Sequence, residues 1–235
     1  MTVLDQLTAA VGGERGSKAA DRLCEVCVEL FDVQGAALSL VLDGAPTGTL
    51  GASGSKARLY DELQFTYGEG PCLDTVAHKA PVMVIDLADP AELRWPAYRP
   101  AMLAHRIRGV YAMPVIIGGE YTGALDLFQS RPGGLSTEQL AGAFVAADLA
   151  GIPVLDLLGE DLQAAAADPE SDAWAELTAL SRAEVSQATG MIMAQLDIGP
   201  AEALVRLRAH AYATGNTATE VAREILAHRL RLTDG

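Results

Sequence analysis

Three cysteines are the residues of this chain best suited to nucleophilic, redox or metal chemistry. Cys24 and Cys27 have the spacing of a CxxC motif, but they fall in a helical pattern that also includes Leu23, Leu30 and Phe31. A zinc site would need two further ligands from distant residues, and the sequence holds no second cysteine pair. Packing in an apolar core is therefore the expected role of this pair.

Cys72 is the stronger candidate for redox chemistry or ligation. It follows Pro71 in a Gly-Glu-Gly-Pro segment that is typical of a helix start. Because a helix N-terminus favours the thiolate, this position predicts a lowered pKa for the Cys72 thiol. His78 and His105 are available as haem ligands, but neither has a supporting motif, so the sequence specifies no cofactor.

A ligand pocket is predicted beside Cys72, because several apolar and aromatic residues flank the segments expected to cover a sheet. The alternative is that most of these residues belong to the core, with Trp95 pinning a loop and Asp86 accepting hydrogen bonds there. The candidate lining residues are Phe65, Cys72, Val84, Asp86, Trp95, Tyr98 and Met113.

The common enzyme signatures do not occur in the sequence. The chain contains no Walker-type loop, GxSxG, HExxH or kinase motif set, and the GEGPC segment lacks the lysine of a phosphate-binding loop. No metal site is predicted either. We therefore expect a protein that is not an enzyme.

The distribution of charge separates the chain into two parts. Residues 1–173 hold 11 basic and 24 acidic residues (11 − 24 = −13), whereas the remainder holds six arginines, no lysine and seven acidic residues (6 − 7 = −1). An acidic front part is repelled by nucleic acids and by anionic membranes. No apolar run approaches the roughly 20 residues that cross a bilayer, so a cytoplasmic location is expected.

The elements of the front part predict an α+β fold. Strands are expected at 36–42, 47–52, 82–86, 110–117 and 121–129, and the last two are joined through Gly118-Gly119 as a hairpin. Ser17 is expected to cap an early helix, and Ser136 with Gln139 has capping-box spacing before another. Strands without repeating strand–helix units favour an antiparallel sheet flanked by helices.

The segment from Trp174 to Leu232 predicts three short amphipathic helices. Pro200 suits the first turn of the second helix, Gly215 suits its C-terminus, and Thr217 with Glu220 has capping-box spacing for the third. Such helices bury their apolar stripes only against one another, which predicts an all-α three-helix bundle.

A helical connection is expected between the two parts. Pro153 should kink or end the helix that begins near Ser136, and Leu155, Leu158 and Leu162 continue an apolar stripe. This stripe suggests a homodimer paired along the connection. The predicted organisation is a sensory domain at 1–158, a helical linker at 159–173 and a helical domain at 174–235.

The C-terminal segment resembles the ANTAR domain in SRAEVSQATGMIMAQL, EALVRLRAHAYATG and TEVAREIL. The resemblance implies a dimer that binds paired hairpin loops of nascent RNA and relieves transcription termination. Thr189 stands where many members carry lysine. Exposed polar groups around the shared motif are the expected RNA contacts: Arg182, Gln187, Arg206, Arg208 and Arg223.

The front part resembles a GAF domain in YGEGPCLDTV, in VMVIDL before RWPAY, and in GVYAMPVIIGGEYTGALDLF. The resemblance implies a sensory module that holds an unidentified small ligand over one sheet face. The resulting hypothesis is a signal-responsive antiterminator. Two alternatives stay open: a cysteine-dependent reductase of GAF fold, and a regulator that binds another protein rather than RNA.

Overall fold

A computed structural model describes residues 2–42, 45–157, 180 and 182–233 of the chain. Its strands form one antiparallel sheet with the spatial order β2-β1-β5-β4-β3. The strands are β1 (Gly35–Leu42), β2 (Ala45–Ala52), β3 (Val82–Val84), β4 (Gly109–Ile117) and β5 (Glu120–Gln129). The predicted α+β class with an antiparallel sheet is confirmed, and the predicted strands agree with these bounds to within two residues.

The β4–β5 hairpin is confirmed, because Ile117 pairs with Glu120 across a turn in which Gly118 and Gly119 have φ of 60° and 89°. Glycine adopts such angles without steric cost. Pro114 lies beyond the end of β3, where β4 has no described neighbour on that side. Proline is accommodated most easily at such a free strand edge.

Helices cover both faces of the sheet. The first face is covered by α1 (Val3–Gly12), α2 (Gly16–Phe31), α6 (Thr137–Leu149) and α7 (Gly151–Asp156). The second face, named here the sensor face, is covered by α3 (Ser55–Tyr67), α4 (Pro71–His78) and α5 (Tyr98–Ala104). Each face has its own apolar core, because successive side chains of a strand point to opposite sides.

The helix α3 was not predicted from the sequence, and its ends are set by glycines rather than by side-chain caps. Gly54 precedes it, and Gly68 (φ 68°) ends it by donating its backbone N–H to the carbonyl oxygens of Gln64 and Phe65.

The cap predicted for α2 is wrong: Arg15 is the N-cap residue of this helix, and Ser17 lies inside it.

Ser136 and Gln139 form the predicted capping box of α6. The helix ends at Leu149 and α7 begins at Gly151, as expected just before Pro153, which has no N–H to donate to the preceding turn. By length and composition, the run Thr137–Asp156 is apolar enough to cross a membrane. This run packs against α1, α2 and β4 in the core of the first face. A core helix can be as long and as apolar as a helix that crosses a membrane.

The C-terminal helices are α8 (Ala183–Leu196), α9 (Pro200–Thr214) and α10 (Ala218–Leu226), and together with residues up to 233 they are named here the C-terminal module. Gly215 ends α9 with φ 69°, and Thr217 with Glu220 forms the predicted capping box of α10. Ile192, Leu207 and Val221 meet in a separate apolar core. The predictions for Trp174, Leu158 and Leu162, and the whole of the predicted linker at 159–173, fall outside the described residues.

Candidate ligand site and candidate RNA interface

A buried polar cluster lies on the sensor face, where β1 and β5 meet α3. It consists of Ser39, Asp61, Gln64 and Asp126, which are between 0% and 4% exposed. Ser39 and Thr49 both donate hydrogen bonds to the Asp61 carboxylate. Gln64 Nε2 donates to Asp126 Oδ2 at 2.5 Å and reaches Asp61 Oδ1 at 3.4 Å. One amide of α3 thus connects two buried carboxyl groups.

Two oxygen atoms at this cluster are buried without a hydrogen-bond partner among the described residues: Tyr98 Oη and Asp126 Oδ1. Burial, with the Asp61 carboxylate as the second cause, raises the pKa of Asp126 well above its ordinary value. Burial likewise raises the pKa of Tyr98 well above its ordinary value. Because buried polar atoms are almost always paired, two unpaired oxygens in one cluster are unusual, and they make this cluster the candidate ligand site.

Cys72 lies beside the polar cluster at the start of α4, and its backbone N–H donates to Gln64 Oε1 at 2.8 Å. The expected lowering of its pKa is wrong. Burial, and after it the Asp126 and Asp61 carboxylates, raise the pKa of the Cys72 thiol well above its ordinary value. These effects outweigh the helix N-terminus, so the thiol is protonated and unreactive at neutral pH.

Four of the seven predicted lining residues share the sensor-face core: Cys72, Val84, Trp95 and Tyr98. The expectation fails for Met113 and Asp86. Met113 lies in the core of the first face. Successive side chains of a strand point to opposite sides, and the neighbouring Ala112 points to the sensor face. Asp86 is at the surface and forms a bidentate ion pair with Arg108, with contacts of 2.8 and 2.7 Å. Phe65 packs against the C-terminal module, and it also lines a small cavity together with Asp61, Gln64 and Cys72.

Trp95 closes the sensor face in a left-handed backbone conformation (φ 56°), and its indole N–H donates to Asp74 at 3.1 Å. Its ring packs edge-on against the ring of Tyr98, with centroids 6.1 Å apart. Glu69 accepts hydrogen bonds from the backbone N–H groups of Ala97 and Tyr98 at 2.7 and 2.9 Å. The GEGPC segment therefore fixes α5, which carries the Tyr98 hydroxyl.

Three hydrogen-bonding residues at the centre of the site were not predicted from the sequence: Asp61, Gln64 and Asp126. Asp126 carried a usable signal, because it is an aspartate in the middle of the otherwise apolar stretch GALDLF. A charged residue inside a strand that faces the core is costly unless it is paired, so such a residue indicates a function.

The other cysteines and the histidines take no part in this cluster. Cys24 and Cys27 lie in α2 on the first face, so the sheet separates them from Cys72. Burial raises the pKa of Cys27 to about 12. His78 and His105 are exposed. Within the described part of the chain, no group of histidine, cysteine and carboxylate side chains is arranged to hold a metal ion.

The five predicted RNA contacts do not share one face. Gln187 and Arg223 are exposed on neighbouring helices: Arg223 Nε donates to Glu184 at 3.0 Å, and Gln187 lies one turn further along α8. Arg206 is half-buried and pairs with Glu202 at 3.2 Å. Arg182 and Arg208 instead face α3 of the front domain. The expectation that these residues are exposed is therefore wrong for Arg182 and Arg208.

Arg182 is nearly enclosed at the boundary between the two domains. Its side chain is 9% exposed and forms an ion pair with Glu62 of α3. Burial lowers the pKa of Arg182 to about 10, so the group stays charged at neutral pH. Burial also lowers the pKa of Arg208. Both guanidinium groups lie over the ring of Phe65, at 4.0 and 4.6 Å from its centroid.

The structure thus has two parts, an antiparallel sheet with helices on both faces and a separate helical module. The chain belongs to the GAF domain family, whose sequence model matches residues 17–152. Residues 175–226 match the ANTAR domain. GAF domains are sensory and ANTAR domains are RNA-binding antitermination modules, so the chain is a regulator with a sensing domain.

No curated protein matches the chain. The GAF domain from a phosphoenolpyruvate-protein phosphotransferase of Coxiella burnetii is 20% identical, with a TM-score of 0.51 over 70% of this chain and 93% of that one. The GAF domain of the Acinetobacter phosphotransferase is 10% identical, with a TM-score of 0.49 over 65% and 91%. Free methionine-R-sulfoxide reductase from Neisseria meningitidis is 17% identical, with a TM-score of 0.48 over 63% and 83%. At these identities the likeness concerns the fold alone.

Proposed function

We propose that the chain is a cytoplasmic, homodimeric transcription antiterminator that binds hairpin loops of nascent RNA under the control of a small molecule held by its GAF domain. The match of residues 175–226 to the ANTAR domain carries this proposal. We assign residues 1–158 to sensing, 159–173 to the linker and 174–235 to RNA binding. The chain itself catalyses no reaction.

The proposed ligand site is the polar cluster on the sensor face. Tyr98 Oη and Asp126 Oδ1 supply unused hydrogen-bonding capacity there. Ser39, Asp61 and Gln64 of the cluster also line a cavity of about 10 Å³, which Phe65 and Arg182 border on the side of the C-terminal module. That volume suits roughly one water molecule. A larger ligand has to displace a covering element, and α3 contributes Asp61 and Gln64 to the site.

The burial of the cysteines weighs against the reductase alternative. All three cysteines are at most 2% exposed, and Cys72 lies across the sheet from the other two. A disulfide requires Cα atoms within about 7 Å, so Cys72 has no resolving thiol in this arrangement. Redox exchange also needs a thiolate, which burial disfavours at all three positions.

RNA binding is expected to weaken steeply with salt, because each neutralised phosphate releases counterions. Filter-binding titrations of an RNA with two hairpin loops, between about 50 and 200 mM salt, measure this slope. Arg223→Ala is expected to reduce the magnitude of the slope by about 0.7 to 0.9. Arg131→Ala, which removes an exposed arginine of the GAF domain, is the matched control and should leave the slope unchanged. Binding without salt dependence would favour the alternative of a protein partner.

A homodimer is expected to pair along the α6–α7 run, where Phe144, Ile152 and Leu155 are 38%, 41% and 54% exposed on one side. Ile152→Asp combined with Leu155→Asp places two charges in that interface and should yield a monomer in sedimentation experiments. Leu93→Asp, at a leucine that is 79% exposed elsewhere on the domain, should leave the dimer intact. A double variant that stays dimeric contradicts this placement of the interface.

A further inference from the structure

The helix α3 is enclosed on two sides by different parts of the molecule. Asp61 and Gln64 point into the polar cluster of the sensor face. Glu62, Phe65, Thr66 and Tyr67, named here the docking surface, each contact the C-terminal module. A displacement of this one helix therefore alters both the proposed ligand site and the contact with the module.

The docking surface holds the module at three of its elements. Glu62 pairs with Arg182 before α8 and accepts a hydrogen bond of 2.7 Å from Thr219 in α10. Thr66 Oγ1 accepts the backbone N–H of Ala218 at 3.0 Å, which satisfies a donor that the first turn of α10 leaves open. Tyr67 packs edge-on against Tyr212 of α9, with centroids 5.7 Å apart.

The chemistry of the docking surface resembles that of an RNA loop. Proteins hold single-stranded bases by stacking guanidinium planes on them, and they hold phosphates by pairing them with arginine. In this structure Phe65 takes the place of a base under Arg182 and Arg208, and the Glu62 carboxylate takes the place of a phosphate beside Arg182. These arginines are two of the residues that the sequence assigns to RNA.

The docked state carries an energetic cost that RNA could relieve. Arg182 Nε and Arg208 Nε are buried without a hydrogen-bond partner among the described residues. Both side chains are cationic and lie over the same ring. Two neighbouring guanidinium groups with unused donors are held more favourably by several phosphates than by one carboxylate.

We infer that α3 is an intramolecular competitor of RNA: its docking surface occupies Arg182 and Arg208, and a ligand that displaces α3 from the polar cluster releases them. This inference rests on the proposed RNA-binding function and specifies how the sensor controls it. The docked state cannot use these arginines for RNA. The measured affinity for RNA is therefore the affinity of the undocked state multiplied by the fraction of molecules that are undocked.

The test compares the full-length chain with Glu62→Gln, Phe65→Ala and Phe65→Leu, the last of which keeps an apolar side chain but removes the ring. RNA affinity is measured by filter binding, and docking is measured separately by hydrogen exchange of the Ala218 amide and of α3. The variants are expected to exchange faster at Ala218 and to bind the two-hairpin RNA about tenfold more tightly than the unmodified chain. Glu29→Gln, which removes an exposed carboxylate from α2, should change neither measurement.

Addition of RNA to the unmodified chain provides a second readout that requires no substitution. Because coupling between two equilibria is reciprocal, RNA should accelerate exchange at Ala218 and in α3 if it competes with docking. Faster exchange in the variants without an affinity gain, or unchanged exchange on adding RNA that binds, overturns the competition. Failure of every protein to bind RNA, including variants whose Ala218 amide exchanges rapidly, overturns the proposed function instead.

Discussion

Asp126→Asn is expected to stabilise the GAF domain at pH 7.5, because it removes a buried carboxyl group whose ionised form the folded state disfavours. Burial and the neighbouring Asp61 carboxylate raise the pKa of Asp126, so the folded state favours the protonated form. The contribution of this group to stability is complete below its unfolded pKa of about 3.9 and is lost as pH rises through the folded value. Asparagine keeps an acceptor for Gln64 and cannot ionise.

Urea unfolding at several pH values between about 4 and 8 measures the effect, because the gain should vanish at the acidic end and grow with pH. A Trp174→Phe background leaves Trp95, which is buried on the sensor face, as the fluorescent reporter of the GAF domain. Asp32→Asn removes a carboxylate that is 80% exposed and should change stability by less than about 0.5 kcal/mol. A constant difference between Asp126→Asn and the unmodified chain at all pH values contradicts the prediction.

Leu207→Ala is expected to unfold the C-terminal module and to abolish RNA binding while the GAF domain stays folded. Leu207 is completely buried among Ile192, Val221 and Ile225. Truncating a buried leucine to alanine costs about 2 to 5 kcal/mol, which is comparable to the whole stability of a small helical domain. Hydrogen exchange across α8, α9 and α10, measured with and without RNA, reports the loss.

Val205→Ala is the control, since Val205 lies in the same helix and is 62% exposed. Its effect should stay below about 0.5 kcal/mol. If the backbone amides of α8, α9 and α10 exchange equally slowly in the two variants, the prediction is wrong and the core of the module does not depend on Leu207.

Sequence rules were sufficient where one local signal determines the structure. The capping boxes at Ser136 and Thr217, the break at Pro200 and the glycine turn of the β4–β5 hairpin all depend on neighbouring residues. The strands followed from alternation and β-branched content. Strand phase would also have excluded Met113 from the pocket, because it alternates with the inward-facing Ala112.

The sequence could not reveal α3, because over much of its length this helix has no side that faces solvent. Its residues therefore show no amphipathic pattern. Tyr60, Asp61, Leu63, Gln64 and Phe65 are all buried, so polar and apolar residues follow one another without a helical period. Amphipathicity indicates a helix only when one face meets water, and here two partners cover opposite sides. The fate of Arg182 and Arg208 was hidden for the same reason, since it depends on a neighbour that is distant in sequence.

The interleaving of residues along α3 has a consequence for how such regulators diversify. Residues 61 and 64 belong to the polar cluster, whereas 62 and 65 hold the module. Under the proposed function, adjacent codons would therefore serve recognition of the signal and restraint of the output. A lineage that adopts a new effector by altering this helix changes the basal activity of its regulon in the same step. Selection for a new stimulus should therefore bring compensating changes at the arginines of the other domain.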